Sequence, residues 1–269
     1  MTMSTETGAF ETLSLERAEE HVMIVRLNRP NASNALNTQM GRDLVRYFED
    51  VALDPGNLRC VILTGSGDKA FCAGGDLKER RGMTDEEWTR QHVIFERMVR
   101  ALIDCPVPII GAVNGAAYGG GCEIAACCDF LYAAETARFA LTEVTLGIMP
   151  GGGGTQTLPR AVGERRAKEL ILTGRPFTSA EARSWGLVNE VFPLPDLLPA
   201  ARATGSQIAG NAPISVRQAK LSIHRGLQSS LRDGLALEIE AYNRMVPTED
   251  RREGVLAFNE KRPPNFRGR

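Results

Sequence analysis

Residues 114–129 read NGAAYGGGCEIAACCD, and how this stretch is understood decides the fold. Three glycines in a row, Gly119 to Gly121, run into a helix-compatible apolar segment that carries one acid, Glu123. Just upstream, residues 107–113 form a short apolar run of the kind a buried strand needs. Strand, glycine turn and helix in that order leave unpaired backbone N–H groups at the helix start. Glycine lets a ligand approach those amides, because no Cβ stands in the way. An acid in a first helical turn is also what the helix dipole favours, so this stretch alone leaves Glu123 open between a stabilising charge and a functional group. A second glycine-bearing turn upstream and a second acid downstream bear on that choice.

Composition narrows the classes. The chain has 269 residues and 43% hydrophobic content, enough for one large core or a core with a helical appendage. A net charge of −1 gives no overall field toward nucleic acid or an anionic membrane. Five acids and one arginine in the first twenty residues argue against a secretory signal and a mitochondrial transit peptide. No apolar run approaches the roughly 18 residues of a membrane span. The six cysteines (Cys60, Cys72, Cys105, Cys122, Cys127, Cys128) contain no C-x-x-C pair, and the three histidines are scattered. That pattern predicts free, mostly buried thiols, a cytoplasmic location and no metal site.

Outward from the central stretch, residues 13–15 and 22–27 read as strands joined by a charged turn. LNRPNASNAL, residues 27–36, is a polar loop. Asn37 or Thr38 caps an amphipathic helix over 40–51, stopped at Asp54-Pro55-Gly56. Residues 60–64 read as a continuous apolar strand. AFCAGGDL, residues 70–77, is the second glycine-bearing turn, with Gly74-Gly75 able to expose amides before Asp76. Residues 78–100 read as one charged, solvated helix with Trp88, Phe95 and Val99 available for one face; six Lys/Arg against five acids make it no nucleic-acid stripe. Short strands follow at 130–133 and 138–140, then Thr142-Glu143 and four glycines, Gly151 to Gly154. No G-K-[ST] accompanies those glycines, which sets nucleotide binding aside. Helical periodicity marks 163–172, 179–185, 195–209, 213–225 and 231–245, with a charged helix over 250–262.

Six segments in this order resemble the crotonase superfamily, and within it the enoyl-CoA hydratases. They are LNRPNASNAL, AFCAGGDLKE, AVNGAAYGGGCEIAACCDF, residues 139–159, LTGRPFTSAEARSWGLV and EDRREGVLAFNEKRPPNF. The resemblance implies an α/β fold, a ClpP-like spiral of repeated β-β-α units over 1–200 with a C-terminal helical trimerisation region over 201–269, together one structural domain. It implies an acyl-CoA substrate, a homotrimer or homohexamer, and no cofactor beyond the coenzyme A that the substrate carries.

By the same resemblance, the amides of Gly75 and Gly120 form an oxyanion hole. Preorganised N–H donors would stabilise the charge that builds on a thioester oxygen. Many relatives have alanine where this chain has Gly75, but only the amide is needed. Glu123 would activate the water added at C3, and Glu143 would supply the proton to C2. Two carboxylates held in an apolar pocket have their pKa values pushed apart, which suits a base and an acid. Arg29, Asn31 and Ala32 match the adenine-side loop, with Ala73 and Leu77 also against coenzyme A. Lys78 and Lys261 match lysines near the 3′-phosphate, Lys261 coming from a neighbouring subunit. Other crotonase activities, such as isomerisation, remain alternatives, although many isomerases keep only one of the two acids. DLKERRGMTDEE resembles the methylglutaconyl-CoA hydratases, a resemblance that implies 3-methylglutaconyl-CoA as an alternative substrate; some of those hydratases bind RNA, and the balanced charge of residues 78–100 argues against that role here. Leu141-Thr142 departs from the Gln-Pro of short-chain hydratases and leaves the acyl chain open.

Overall fold

The run CVILTG forms strand β3 (Cys60–Gly65), and all six of its residues are buried. β5 (Ile109–Val113) is likewise buried throughout. Near-continuous apolar runs of this kind belong to parallel strands covered on both faces. The structure, a computed structural model, describes residues 10–269. The reading of the N-terminus as no targeting segment therefore falls, for residues 1–9, outside the described residues.

Two sheets share the strands. The larger runs in the order β1 (Leu13–Glu19), β2 (Val22–Leu27), β3, β5, β7 (Phe130–Ala134) and β10 (Glu190–Phe192). Only β1 and β2 pair antiparallel within it. The smaller contains β4 (Ala70–Cys72), β6 (Ala116–Tyr118), β8 (Arg138–Ala140) and β9 (Phe177–Thr178), antiparallel only between the last two. Helices lie between: α1 (Thr38–Leu53), α2 (Leu77–Arg80), α3 (Asp85–Ile103), α4 (Gly120–Ala126), α5 (Gly154–Val162), α6 (Glu164–Thr173) and α7 (Ser179–Ser184). Three successive turns, opened by β3, β5 and β7, each give one strand to each sheet and then a helix. This is the spiral of β-β-α units that the resemblance implies.

Asn114 explains where the chain leaves one sheet for the other. Its buried side chain accepts from the amide of Gly65 at 3.1 Å and donates to the carbonyls of Gly65 and Gly67 at 3.1 and 2.7 Å. The amide group thus replaces the strand partner that β3 loses as β5 ends. The expected sequence of strand, glycine turn and helix is corrected accordingly: β6 stands between β5 and α4, in the other sheet.

Three further readings change. The single helix over 78–100 is two, α2 and α3, separated by Gly82 at φ +91° and restarted by a capping box of Thr84 and Glu87. The glycines at 151–154 open helix α5, where no helix was read because Gly and Pro159 obscure its periodicity. The boundary at residue 200 falls inside α8 (Leu194–Ala209), whose Leu197, Ala201 and Ala209 are buried. A Cβ on Gly205 of α8 would sit 3.2 Å from Val22, so the helix packs on the large sheet. The helices beyond, α9 (Pro213–Gly226), α10 (Leu231–Asn243) and α11 (Glu249–Glu260), expose many apolar side chains, among them Ile223, Leu227, Leu231 and Leu235. Among the described residues, no helix is long and apolar enough to cross a membrane.

Asn114→Ala removes the partner of the buried Gly65 peptide groups and frees the exposed Gly67 carbonyl to water, at about 1–3 kcal/mol for a buried group left unsatisfied. We expect a stability loss of about 2–3 kcal/mol in urea unfolding at fixed protein concentration. A loss under about 0.5 kcal/mol would show that Asn114 does not hold the crossing between the sheets.

Candidate active site

The parallel pairing of β4 with β6 carries two glycine turns to one place. Cys72 is registered with Ala117, and each strand runs directly into its turn. Gly121 packs so closely that a Cβ there would overlap the Cys72 carbonyl oxygen, and only glycine permits this approach. The amide nitrogen of Gly75 consequently lies 3.9 Å from the point a Cβ on Gly120 would occupy. Gly75 forms an isolated bridge with Leu36, made by the amides of Leu36 and Asp76 at 2.8 and 3.0 Å. The Gly75 amide takes no part in that bridge. Gly120 is the first residue of α4, where a helix has no internal acceptor for its N–H. Two donors therefore stand together at one turn pair, with the partial positive charge of α4 behind them.

Glu123, on α4, is buried at 4% exposure, and Glu143, on the short 3₁₀ turn Glu143–Leu146 after β8, at 8%. Both line a cavity of about 760 Å3 together with Gly75, Gly119 and Gly120. Their surroundings differ. Glu123 Oε1 accepts from the amides of Gly152 and Gly154, each at 2.8 Å. A Cβ on Gly152 would stand 2.6 Å from Glu123 Oε2, so the close approach depends on that glycine too. Burial raises the Glu123 pKa, while those two amides and Arg80 pull it back toward the charged form. Glu143 has no such cradle. Its Oε2 is buried with no hydrogen-bond partner among the described residues, and its Oε1 lies 3.1 Å from the Cβ position of Gly119. Burial, with the charge of Glu123 adding to it, pushes Glu143 up to about 7. The glycine run that resembles a phosphate loop thus binds an anion after all, the protein's own carboxylate.

The expected coenzyme A residues divide. Ala73 and Leu77 line the cavity. Arg29 is tied down by Asp76 at 2.9 Å and the Ala35 carbonyl at 2.6 Å, next to the 3₁₀ turn that holds Asn31 and Ala32. Lys78 is exposed in the first turn of α2, and Lys261 is exposed at the end of α11 with φ +57°; neither lines the cavity. Sequence reasoning missed the opposite wall. Arg80 and Trp88, with His92, Phe95 and Val99 of α3, all line it, so the face that carries Trp88, Phe95 and Val99 is turned to the site. The spacing of Trp88, Phe95 and Val99 was the available signal, but core packing accounts for such a stripe equally well.

Comparison with known proteins agrees with this geometry. Residues 17–269 match the family described as enoyl-CoA hydratase/isomerase, and the chain belongs to that family. YngF of Bacillus subtilis, assigned to the enoyl-CoA hydratase/isomerase class, is 47% identical over 93% of this chain and 95% of its own length. The 2,3-dehydroadipyl-CoA hydratase of Escherichia coli is 40% identical, covering 93% of this chain and 97% of its own. A crystal structure of an enoyl-CoA hydratase from Bacillus anthracis superposes with a TM-score of 0.94 at 44% identity, over 96% of this chain and all of that one. The fold is accordingly the crotonase fold.

The unequal surroundings of the two acids can be measured directly. In carboxyl-labelled glutamate spectra, one resonance should titrate near 7 and vanish in Glu143→Gln. In Glu123→Gln it should move to lower pH, since a neighbouring negative charge has gone. Titration in the ordinary glutamate range, unmoved by that substitution, would remove the coupling between the two acids.

Proposed function

We propose that this member of the enoyl-CoA hydratase/isomerase family hydrates 2-enoyl-CoA thioesters to 3-hydroxyacyl-CoA. The observation that carries the reading is the pair of buried acids in unlike environments beside two free amides. Glu123, whose charged form the amides of Gly152 and Gly154 favour, takes a proton from water as the water oxygen bonds to C3. The electron pair of the 2,3 double bond moves toward the thioester carbonyl, and the amides of Gly75 and Gly120 stabilise the resulting enolate oxygen. Glu143, protonated near neutral pH, delivers its proton to C2 as the enolate collapses. Glu123 then carries the proton that Glu143 has lost, and its return resets the site.

Coenzyme A supplies binding energy away from this chemistry, along Ala73, Leu77 and the turn of Arg29, Asn31 and Ala32, with Lys78 facing phosphate. The reading calls for no further cofactor. Lys261 would serve a neighbouring subunit. The apolar side chains exposed on α9 to α11 support a homotrimer or homohexamer, because a monomer would leave them in water. Free cysteines, five of six buried, suit a reducing cytoplasm. Retention of both acids favours hydration over isomerisation, which shuttles one proton between carbons and needs one base.

Glu123→Gln and Glu143→Gln keep size and remove proton exchange, so each should lower turnover by at least about 10²-fold. The double variant should fall little below the worse single one, because the acids act as a unit. In ¹⁸O water the wild type should place label at C3 of the product. A shifted double bond without label, and full activity in one glutamine variant, would replace hydratase by isomerase.

In light scattering at micromolar concentration the protein should run as a trimer or hexamer. A stable monomer would overturn both the assembly and the shared Lys261.

A further inference from the structure

Beside the oxyanion turn stands a carboxylate that the hydration chemistry leaves without a task. Asp76 directly follows Gly75, and its side chain is only 11% exposed. Its Oδ2 accepts from Nη1 of Arg29 at 2.9 Å. Its Oδ1 accepts from the amides of Lys78 and Glu79 at 3.1 and 3.2 Å, at the start of α2. Burial alone would raise the Asp76 pKa, but Arg29 and those two amides bring it below the ordinary value, so the pair is ionic at neutral pH.

Arg29 opens the loop of residues 29–36, and that loop grips the oxyanion turn at both of its ends. At the far end the Leu36 amide donates to the Gly74 carbonyl at 2.8 Å, and the Asp76 amide donates to the Leu36 carbonyl at 3.0 Å. The Gly74 carbonyl and the Gly75 N–H belong to one trans peptide and point in opposite directions. The first of those bonds therefore sets where the Gly75 N–H aims. At the near end, Nη1 of Arg29 holds both Asp76 and the Ala35 carbonyl, the latter at 2.6 Å. Between the ends, Ser33 and Asn34 stand at φ +51° and +54°, a strained backbone for residues other than glycine that persists only where neighbours enforce it. Asn34 does so here by donating to the Ser66 and Ala70 carbonyls at 3.0 and 2.8 Å. Among the described residues, Nε and Nη2 of Arg29 donate to nothing, so the guanidinium keeps an edge for a ligand.

We propose that Asp76 is a positioning residue that couples coenzyme A binding to the oxyanion hole. When Arg29, Asn31 and Ala32 engage the adenine end of the substrate, the Arg29–Asp76 pair fixes residues 74–76 and with them the Gly75 donor. This deepens the hydratase reading and rests on it. Binding energy gained far from the reacting carbons is thereby used to align the donor that meets the enolate oxygen. A charged and largely desolvated pair suits the task, since it holds its geometry more firmly than a neutral hydrogen bond would.

Crotonyl-CoA and crotonyl-pantetheine separate the two ends, because only the first carries the adenine nucleotide. Asp76→Asn removes the charge and can still cap α2 through its side-chain oxygen. In that variant kcat for crotonyl-CoA should fall about 10- to 100-fold. The fall for crotonyl-pantetheine should be much smaller, so that the ratio of the two kcat values drops roughly 10-fold. Equal losses with both thioesters overturn the proposal and make Asp76 a fixed support of the turn. So do an unchanged kcat for both, and a rise in KM for crotonyl-CoA at constant kcat, which would confine Asp76 to binding. A second arm uses wild-type protein alone and stands even where the variant does not fold. Adenosine 3′,5′-bisphosphate, the detached adenine end of coenzyme A, should raise kcat for crotonyl-pantetheine several-fold. No activation at saturating bisphosphate, with crotonyl-CoA hydrated normally, overturns the proposal. A third readout needs no turnover: the same bisphosphate should slow hydrogen exchange at the amides of Leu36 and Asp76, and unchanged exchange with the bisphosphate bound overturns the coupling. If neither thioester is hydrated while that exchange is slowed, the hydratase reading alone falls and the coupling stands.

Discussion

Gly121 against the Cys72 carbonyl is the contact on which the rest of the site depends. It lets β4 and β6 run side by side into their turns, so that the amides of Gly75 and Gly120 meet without any side chain being recruited. Donors built from backbone need no rotamer to be frozen when charge appears, and their position is guaranteed by the sheet that carries them. The third turn of the spiral then brings Glu143, after β8, onto the same spot. Three successive turns thus contribute one part each: an amide, an amide with Glu123, and Glu143.

The unlike behaviour of the two acids follows from what each meets at its carboxyl group. Both pay for burial, which raises both. Glu123 alone has two amides from the start of α5 on one oxygen, and hydrogen bonds to the charged form favour that form. A carboxylate satisfied by backbone and one left with a bare buried oxygen cannot be equivalent, even in one cavity. The helix that makes the difference is the one whose glycines disguise it in sequence.

Much of this was legible beforehand, for reasons that differ between elements. Continuous apolar runs gave β3 and β5, and the cap at Asn37 gave α1, because burial and capping leave local marks. Strands of two or three residues such as β6 and β9 leave none; pairing within the small sheet creates them. Gly75, Gly120, Glu123 and Glu143 were reached through motif order, and the structure gathers all four around one cavity. Arg80 could not be reached that way. Its position is fixed by Trp88 and Gln91 beyond the helix break at Gly82, so its place on the cavity wall exists only after α2 and α3 have folded against each other.

The cavity wall on α3 has an evolutionary consequence. The donors and acids sit on strands, tight turns and helix starts, where backbone contacts forbid most substitutions. Trp88, His92 and Val99 project from a single amphipathic helix that belongs to neither sheet. Selection can therefore resculpt the α3 wall of the cavity in small steps while the wall of glycine turns and buried acids stays unchanged. A lineage of such proteins would diversify in what it accepts long before it diversified in what it does.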